Sequence, residues 1–213
     1  MAFIKKNFMK QLLIFAKHPE AGKVKIRLAQ AIGAVNAALA YKTMVEIVMR
    51  STKPCNGEFT QVLYYDPPEL REKFQSWLQI SHLKPQSGGD LGERMKQALT
   101  QSLEETEHAV LIGTDCIDVD RPLILKAFQD LEKADLVLGP AKDGGYYLIG
   151  CRQVYPELFA GIDWGTERVF AQTLERARGL NLSTALLPEL EDIDTGEQYG
   201  KFGEKIRPDL PLL

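Results

Sequence analysis

Short apolar runs bounded by turn residues alternate along this chain with longer stretches whose apolar residues recur at helical spacing. That alternation is the strongest constraint on the fold, because strands separated by helices build a mostly parallel sheet covered on both faces. Strands are expected over residues 11–17, 59–65, 109–113, 135–138, 145–150 and 182–187. Helices are expected over 28–49, with a break near Gly33, and over 69–78, 90–105, 122–133 and 166–178. Asp90 has Glu93 three residues on, the spacing of a capping box. Pro122 suits the first turn of its helix, and Gly179 suits a helix end. The tail over 201–213 carries two prolines and is expected to be irregular. Nearly continuous apolar strands such as 12–16 and 109–112 fit a sheet buried on both sides.

A chain of 213 residues with 45% hydrophobic content can bury one sizeable core, so residues 1–213 are read as a single domain. Its 26 basic and 29 acidic residues leave a formal net charge of -3, which argues against a nucleic-acid binder but permits a small phosphorylated ligand. Cys55, Cys116 and Cys151 are scattered, show no CxxC spacing, and point to a reducing cytoplasm. His18, His82 and His108 form no zinc-type pair. Lys5, Lys6 and Lys10 precede a short apolar run, a superficial likeness to a secretion signal, but Lys17 ends that run at once and a buried strand is the better reading. No segment approaches the length needed to span a bilayer.

In an open parallel sheet, ligands bind beyond the carboxyl ends of the strands. The segment after the first strand holds Lys17, Lys23, Lys25 and Arg27 against Glu20 alone, with Pro19 and Gly22 shaping a turn. Cations and amides at a helix start make a phosphate cradle; a solvated basic loop is the equal alternative. It is neither a Walker A nor a GxGxxG loop. After the strand at 109–113 come Asp115, Asp118 and Asp120. A carboxylate at a buried strand end is costly unless paired or bound to a cation, which makes Asp115 the first candidate for Mg²⁺ or Mn²⁺. Asp120 is read as a helix cap, and Asp118 stays open between the two roles. Asp143-Gly144-Gly145 is a hairpin turn that can also line a pocket. Tyr146 and Tyr147 should point to opposite faces, so that at most one meets a ligand. Asp192 and Asp194 share a face if extended, although spacing alone favours Asp194 or Thr195 as a cap.

Taken in order, several segments resemble one bacterial family of glycosyltransferase type, carried as domain of unknown function 2064. They are Phe15-Ala16-Lys17…Pro19…Gly22-Lys23-Val24-Lys25-Ile26-Arg27-Leu28, Gly89-Asp90-Leu91-Gly92-Glu93-Arg94-Met95, Gly113-Thr114-Asp115-Cys116, Gly139-Pro140…Asp143-Gly144-Gly145-Tyr146-Tyr147-Leu148, Trp164-Gly165-Thr166 and Asp192-Ile193-Asp194-Thr195. The resemblance implies a nucleotide-diphospho-sugar transferase (GT-A-like) fold, an α/β three-layer sandwich with a mixed, mainly parallel sheet. It implies that Lys25 and Arg27 face the phosphates and that Asp115 holds Mg²⁺ or Mn²⁺. Asp194 would be a second carboxylate at the metal or the acceptor, and Gly144 and Gly145 would line the acceptor side. Ile26 and Ile117 depart from the family pattern, which usually has Thr and Pro there. The activity implied is transfer of a sugar from a nucleotide-sugar to a small-molecule acceptor. The alternatives are nucleotidyl transfer with release of pyrophosphate, and a non-catalytic nucleotide-binding protein.

Overall fold

A computed structural model describes residues 10–206. Its seven strands are β1 (Lys10–Lys17), β2 (Thr60–Asp66), β3 (Leu83–Pro85), β4 (His108–Ile112), β5 (Leu136–Pro140), β6 (Tyr146–Cys151) and β7 (Thr184–Leu186). They form one sheet in the order β3-β2-β1-β4-β6-β5-β7. All pairings are parallel except those of β6, which runs antiparallel to both β4 and β5. The helices are α1 (Ile26–Ile32), α2 (Ala34–Ser51), α3 (Arg71–Leu78), α4 (Leu91–Glu105), α5 (Arg121–Asp130), α6 (Val169–Gly179) and α7 (Gly196–Ile206).

Side chains on a strand alternate between faces, and the core divides accordingly. From β1, Leu12, Ile14 and Ala16 join one cluster with Val45 and Val48 of α2 and Ile124, Ala127 and Phe128 of α5. Leu13 and Phe15 join the opposite cluster with Met95, Ala98 and Leu99 of α4 and Ala177 of α6. Full burial of such a side chain contributes roughly 1.5–3 kcal/mol, so both helix layers are held to the sheet mainly by apolar contact. The arrangement is the expected mixed, mainly parallel three-layer sandwich.

The local signals act where they were read. The first long helix breaks at Gly33 into α1 and α2. Asp90 accepts a hydrogen bond from Glu93 N–H at 2.8 Å, and Asp120 accepts one from Leu123 N–H at 2.9 Å. The β5–β6 connection is a hairpin closed by Ala141 N–H on Gly145 O at 3.1 Å.

Four details differ from expectation. The edge strand β3 has no apolar run of its own and is defined by its pairing with β2. Helix α6 begins at Val169 rather than at 166, because Asp163 to Arg168 fold into a turn in which Thr166 Oγ1 bonds Asp163 O at 2.8 Å. Gly179 is the last residue of α6, and Asn181 beyond it takes the left-handed conformation instead. Residues 201–206 belong to α7 rather than to an irregular tail, held by Tyr199 and Ile206 against Leu28 and Met44. The remaining tail, with Pro208 and Pro211, and the lysines Lys5 and Lys6 lie outside the described residues. Among the described residues no helix is long and apolar enough to cross a membrane.

Candidate functional site

The connections beyond the carboxyl ends of β1 and β4, the β5–β6 turn and the segment before α7 surround one cleft of about 1180 Å³. The strand order produces this convergence. β1 and β4 are parallel neighbours, so their ends open on the same rim; β5 runs in the same direction and carries the hairpin turn to that rim, where the antiparallel β6 begins. The segment before α7 is then docked by a main-chain bond, Ile193 N–H to Asp115 O at 3.0 Å. Lys17, Lys23, Lys25, Arg27, Asp115, Asp143, Gly145, Asp192 and Asp194 all border the cleft.

Its charged centre is Lys25. The Lys25 backbone is left-handed at φ 50°, a conformation that costs a non-glycine residue about 1 kcal/mol. This turn starts α1 without a side-chain cap and sends the lysine stem inward instead. The side chain is only 4% exposed, and Nζ lies 2.5 Å from Asp115 Oδ1 and 2.6 Å from Asp194 Oδ1. Arg27, 68% exposed, reaches Asp194 Oδ2 at 2.8 Å. Burial works against the Lys25 ammonium, but Asp115 and then Asp194 outweigh it and hold its pKa well above the ordinary lysine value. Burial likewise opposes the Asp194 carboxylate, and Lys25 and Arg27 hold its pKa below the usual value. A buried charge without such partners would cost several kcal/mol.

Behind this centre Tyr41 packs its ring near Lys25 Nζ, 5.9 Å from the centroid. Its hydroxyl accepts from Lys17 N–H at 2.9 Å and shares a hydrogen bond with Thr114 Oγ1 at 3.2 Å. Asp192 accepts the Cys116 thiol proton at 2.5 Å. Burial first, then the neighbouring Asp115 and Asp143, push the Asp192 carboxyl up to about 7, against the pull of the thiol and of Lys25. The intervening Ile193 is fully buried in the core with Tyr199. The cap of α7 falls to Thr195, with Gln198 Oε1 accepting from the N–H groups of Asp194 and Thr195 at 2.9 Å each. Asp118 is paired with Lys205 at 2.8 Å and is not a lining residue.

The other expected residues are placed less centrally. Lys23 pairs with Glu20 at 3.0 Å at the exposed lip. Asp143 Oδ1 accepts from Gly145 N–H at 2.9 Å and shapes the hairpin turn. Gly144 is not itself a lining residue; at φ 87°, an added Cβ would lie 2.1 Å from the carbonyl oxygen of Glu167, which is one. Tyr146 and Tyr147 do join opposite core clusters, yet both border the cleft.

Sequence reasoning did not single out Tyr41, whose helix reads as an ordinary Ala-rich element. It also passed over Gln86 and assigned no role to Arg94, which lies in a segment quoted only for its resemblance. The Arg94 guanidinium is fixed by Gly89 O at 3.1 Å, Asp66 at 3.4 Å and Gln86 Oε1 at 3.5 Å. Trp164 lies against Gly92 at the start of α4, where a Cβ would come within 2.5 Å of the indole ring.

Two carboxylates that meet at one ammonium form a donor pair of the kind Mg²⁺ or Mn²⁺ uses together with ligand phosphates. Among the described residues, no three or more His, Cys, Asp or Glu side chains are grouped to hold a metal by themselves. The residues present therefore fit a metal whose coordination is completed by a bound phosphate.

Comparison with known proteins places the chain. The model of a family described as an uncharacterized protein conserved in bacteria (DUF2064) matches residues 53–166. No curated protein sequence matches. Among solved structures, a candidate nucleotide-diphospho-sugar transferase from Desulfovibrio desulfuricans G20 is 35% identical, with a TM-score of 0.84 over 94% of this chain and 88% of that one. The inositol-1-phosphate CTP transferase of T. maritima is 16% identical, with a TM-score of 0.55 over 96% of this chain and 98% of that one. Rv0371C from Mycobacterium tuberculosis H37Rv, solved in complex with manganese, is 12% identical, with a TM-score of 0.54 over 92% and 98%. The last two share the fold. The sheet and its helix layers are thus those of the nucleotide-diphospho-sugar transferase fold, and the chain belongs to the DUF2064 family of bacterial proteins.

Proposed function

We propose that this protein is a metal-dependent transferase that uses a nucleotide donor, and that it moves the sugar of a nucleotide-diphospho-sugar to a small acceptor. The observation that carries the reading is the convergence of Lys25, Arg27, Asp115 and Asp194 on one rim of the cleft. Asp115 and Asp194 would hold Mg²⁺ or Mn²⁺, which when bound neutralises charge on the diphosphate. Lys25 and Arg27 stabilise the charge that develops on the leaving phosphates, an effect typically worth ~10²–10³ in rate for one donor. Lys17 and Lys23 at the lip draw the anionic donor inward. Asp143 and Gly145 border the acceptor side, with Gly144 holding the turn behind them. The manganese complex of a protein with this fold supports a divalent ion, and the free cysteines Cys55, Cys116 and Cys151 fit the cytoplasm.

Nucleotidyl transfer is the second reading, favoured by the basic loop from Lys17 to Arg27, which suits pyrophosphate as the leaving group. The released product decides between the two. A panel of nucleotide-sugars and nucleoside triphosphates, each with Mn²⁺ and candidate acceptors, is expected to yield a nucleoside diphosphate; pyrophosphate would establish the second reading. If no nucleotide raises the melting temperature in the presence of Mn²⁺, neither reading stands.

A further inference from the structure

We infer that Lys25 is a placeholder cation: its ammonium occupies the point between Asp115 and Asp194 until a nucleotide and a divalent metal arrive together, and then moves to the phosphates. The inference rests on the proposed function and adds an order of events to it. Nζ lies 2.5 Å and 2.6 Å from one oxygen of each carboxylate. Asp115 and Asp194 are the carboxylates that would hold a Mg²⁺ or Mn²⁺ ion, and the oxygens such an ion would use are the ones the ammonium now holds. Ammonium and metal therefore compete for one position.

The charges then decide when the exchange occurs. Lys25, Arg27, Asp115 and Asp194 together sum to zero. A divalent ion entering alone would face a displaced ammonium whose side chain is 4% exposed, inside the same cleft wall. The two positive charges would repel each other, a repulsion softened but not removed by the solvent that reaches Asp115, whose side chain is 49% exposed. A nucleoside diphosphate removes the conflict, because its oxygens accept the ammonium and complete the coordination of the metal. The absence of a third grouped carboxylate, thiolate or imidazole among the described residues works in the same direction, since the protein offers a free ion little to replace its water shell. Arg27 is not equivalent: it meets only Asp194 and is mostly exposed, so it can swing to the phosphates without vacating the shared point.

The test uses the whole protein and two readouts. In the first, Mn²⁺ uptake is followed by electron paramagnetic resonance of the free ion for wild type, Lys25→Met and Lys25→Arg, with MnCl₂ alone and with UDP, GDP, ADP or CDP. Wild type and Lys25→Arg are expected to bind MnCl₂ weakly, Lys25→Met at least tenfold more tightly, and wild type to gain strongly when a diphosphate is added. In the second, the slowly exchanging ammonium signal of Lys25 is observed by NMR in wild-type protein, which avoids any folding defect of the variants. It is expected to persist with MgCl₂ alone and to shift only when the diphosphate is present. If MgCl₂ alone displaces the signal, or if Lys25→Met binds MnCl₂ no better than wild type, the placeholder role is wrong while metal uptake with a diphosphate still upholds the transferase reading. If no diphosphate promotes uptake by wild type, the transferase reading itself fails, whatever Lys25→Met does.

Discussion

Helices α4 and α5 begin as helices usually do, and α1 does not. Asp90 and Asp120 hold extended backbone and each accept one of the orphan N–H groups of the first turn. Lys25, at the same position of α1, is left-handed, offers no acceptor, and spends its side chain on two acids from distant parts of the chain. The first arrangement serves the helix it begins. The second costs local stability and is restored only by tertiary pairing, the pattern expected where strain is kept for a ligand.

That contrast can be broken by substitution, and the largest effect should come from the uncapped helix. Asp115→Asn, with the metal and nucleotide held constant, is expected to lower transfer by ~10²–10³, and because it also removes a partner of the buried Lys25 ammonium it should cost about 1–2 kcal/mol of stability, discounted for the solvent that reaches Asp115. Unchanged transfer by Asp115→Asn would erase the distinction between site and cap. Next, Asp194→Asn removes one of the two partners of the buried ammonium and should destabilise the protein by roughly 1–3 kcal/mol in urea unfolding, the range being reduced for the solvent that reaches this carboxylate. Asp120→Ala should cost about 1 kcal/mol and leave nucleotide binding unchanged, as measured by calorimetry.

The smallest effect is a pH dependence. The folded pKa of Asp192 is raised to about 7 from an ordinary 3.8, so the stability it contributes is fully present below the ordinary value and is lost as pH rises through about 7. Wild type should therefore lose about 1 kcal/mol more than Asp192→Asn between pH 5 and pH 8, allowing for partial exposure. Parallel pH profiles for the two proteins would remove Asp192 from the electrostatics of the cleft.

The same contrast explains what could be read from the chain beforehand. Asp90 with Glu93, Asp120 before Pro122, and the apolar runs of β1 and β4 are local features whose consequences stay local, and they appear in the structure as read. Asp194 was a poor prospect by spacing, because a carboxylate before a helix is ordinarily a cap; that work falls to Thr195 and Gln198, which frees Asp194 for Lys25 and Arg27. The basic loop after the first strand already marked Lys25, and the resemblance turned it toward the phosphates, but nothing in its neighbours foretold a buried lysine with left-handed backbone, since lysine is almost always exposed. Tyr41, β3 and the run of α7 beyond residue 200 were illegible for one reason. Each is fixed by what it touches: Thr114 for the tyrosine, β2 for the strand, and Leu28 and Met44 for the helix.

The backbone at Gly144 has a mechanical consequence. Its Cα faces the main chain of Glu167 with no room for a methyl group, and its carbonyl oxygen accepts Phe170 N–H at 2.9 Å. The hairpin tip and the entry to α6 are consequently tied to each other at this one residue. A side chain at position 144 would have to push the two apart, so their pairing depends on glycine here.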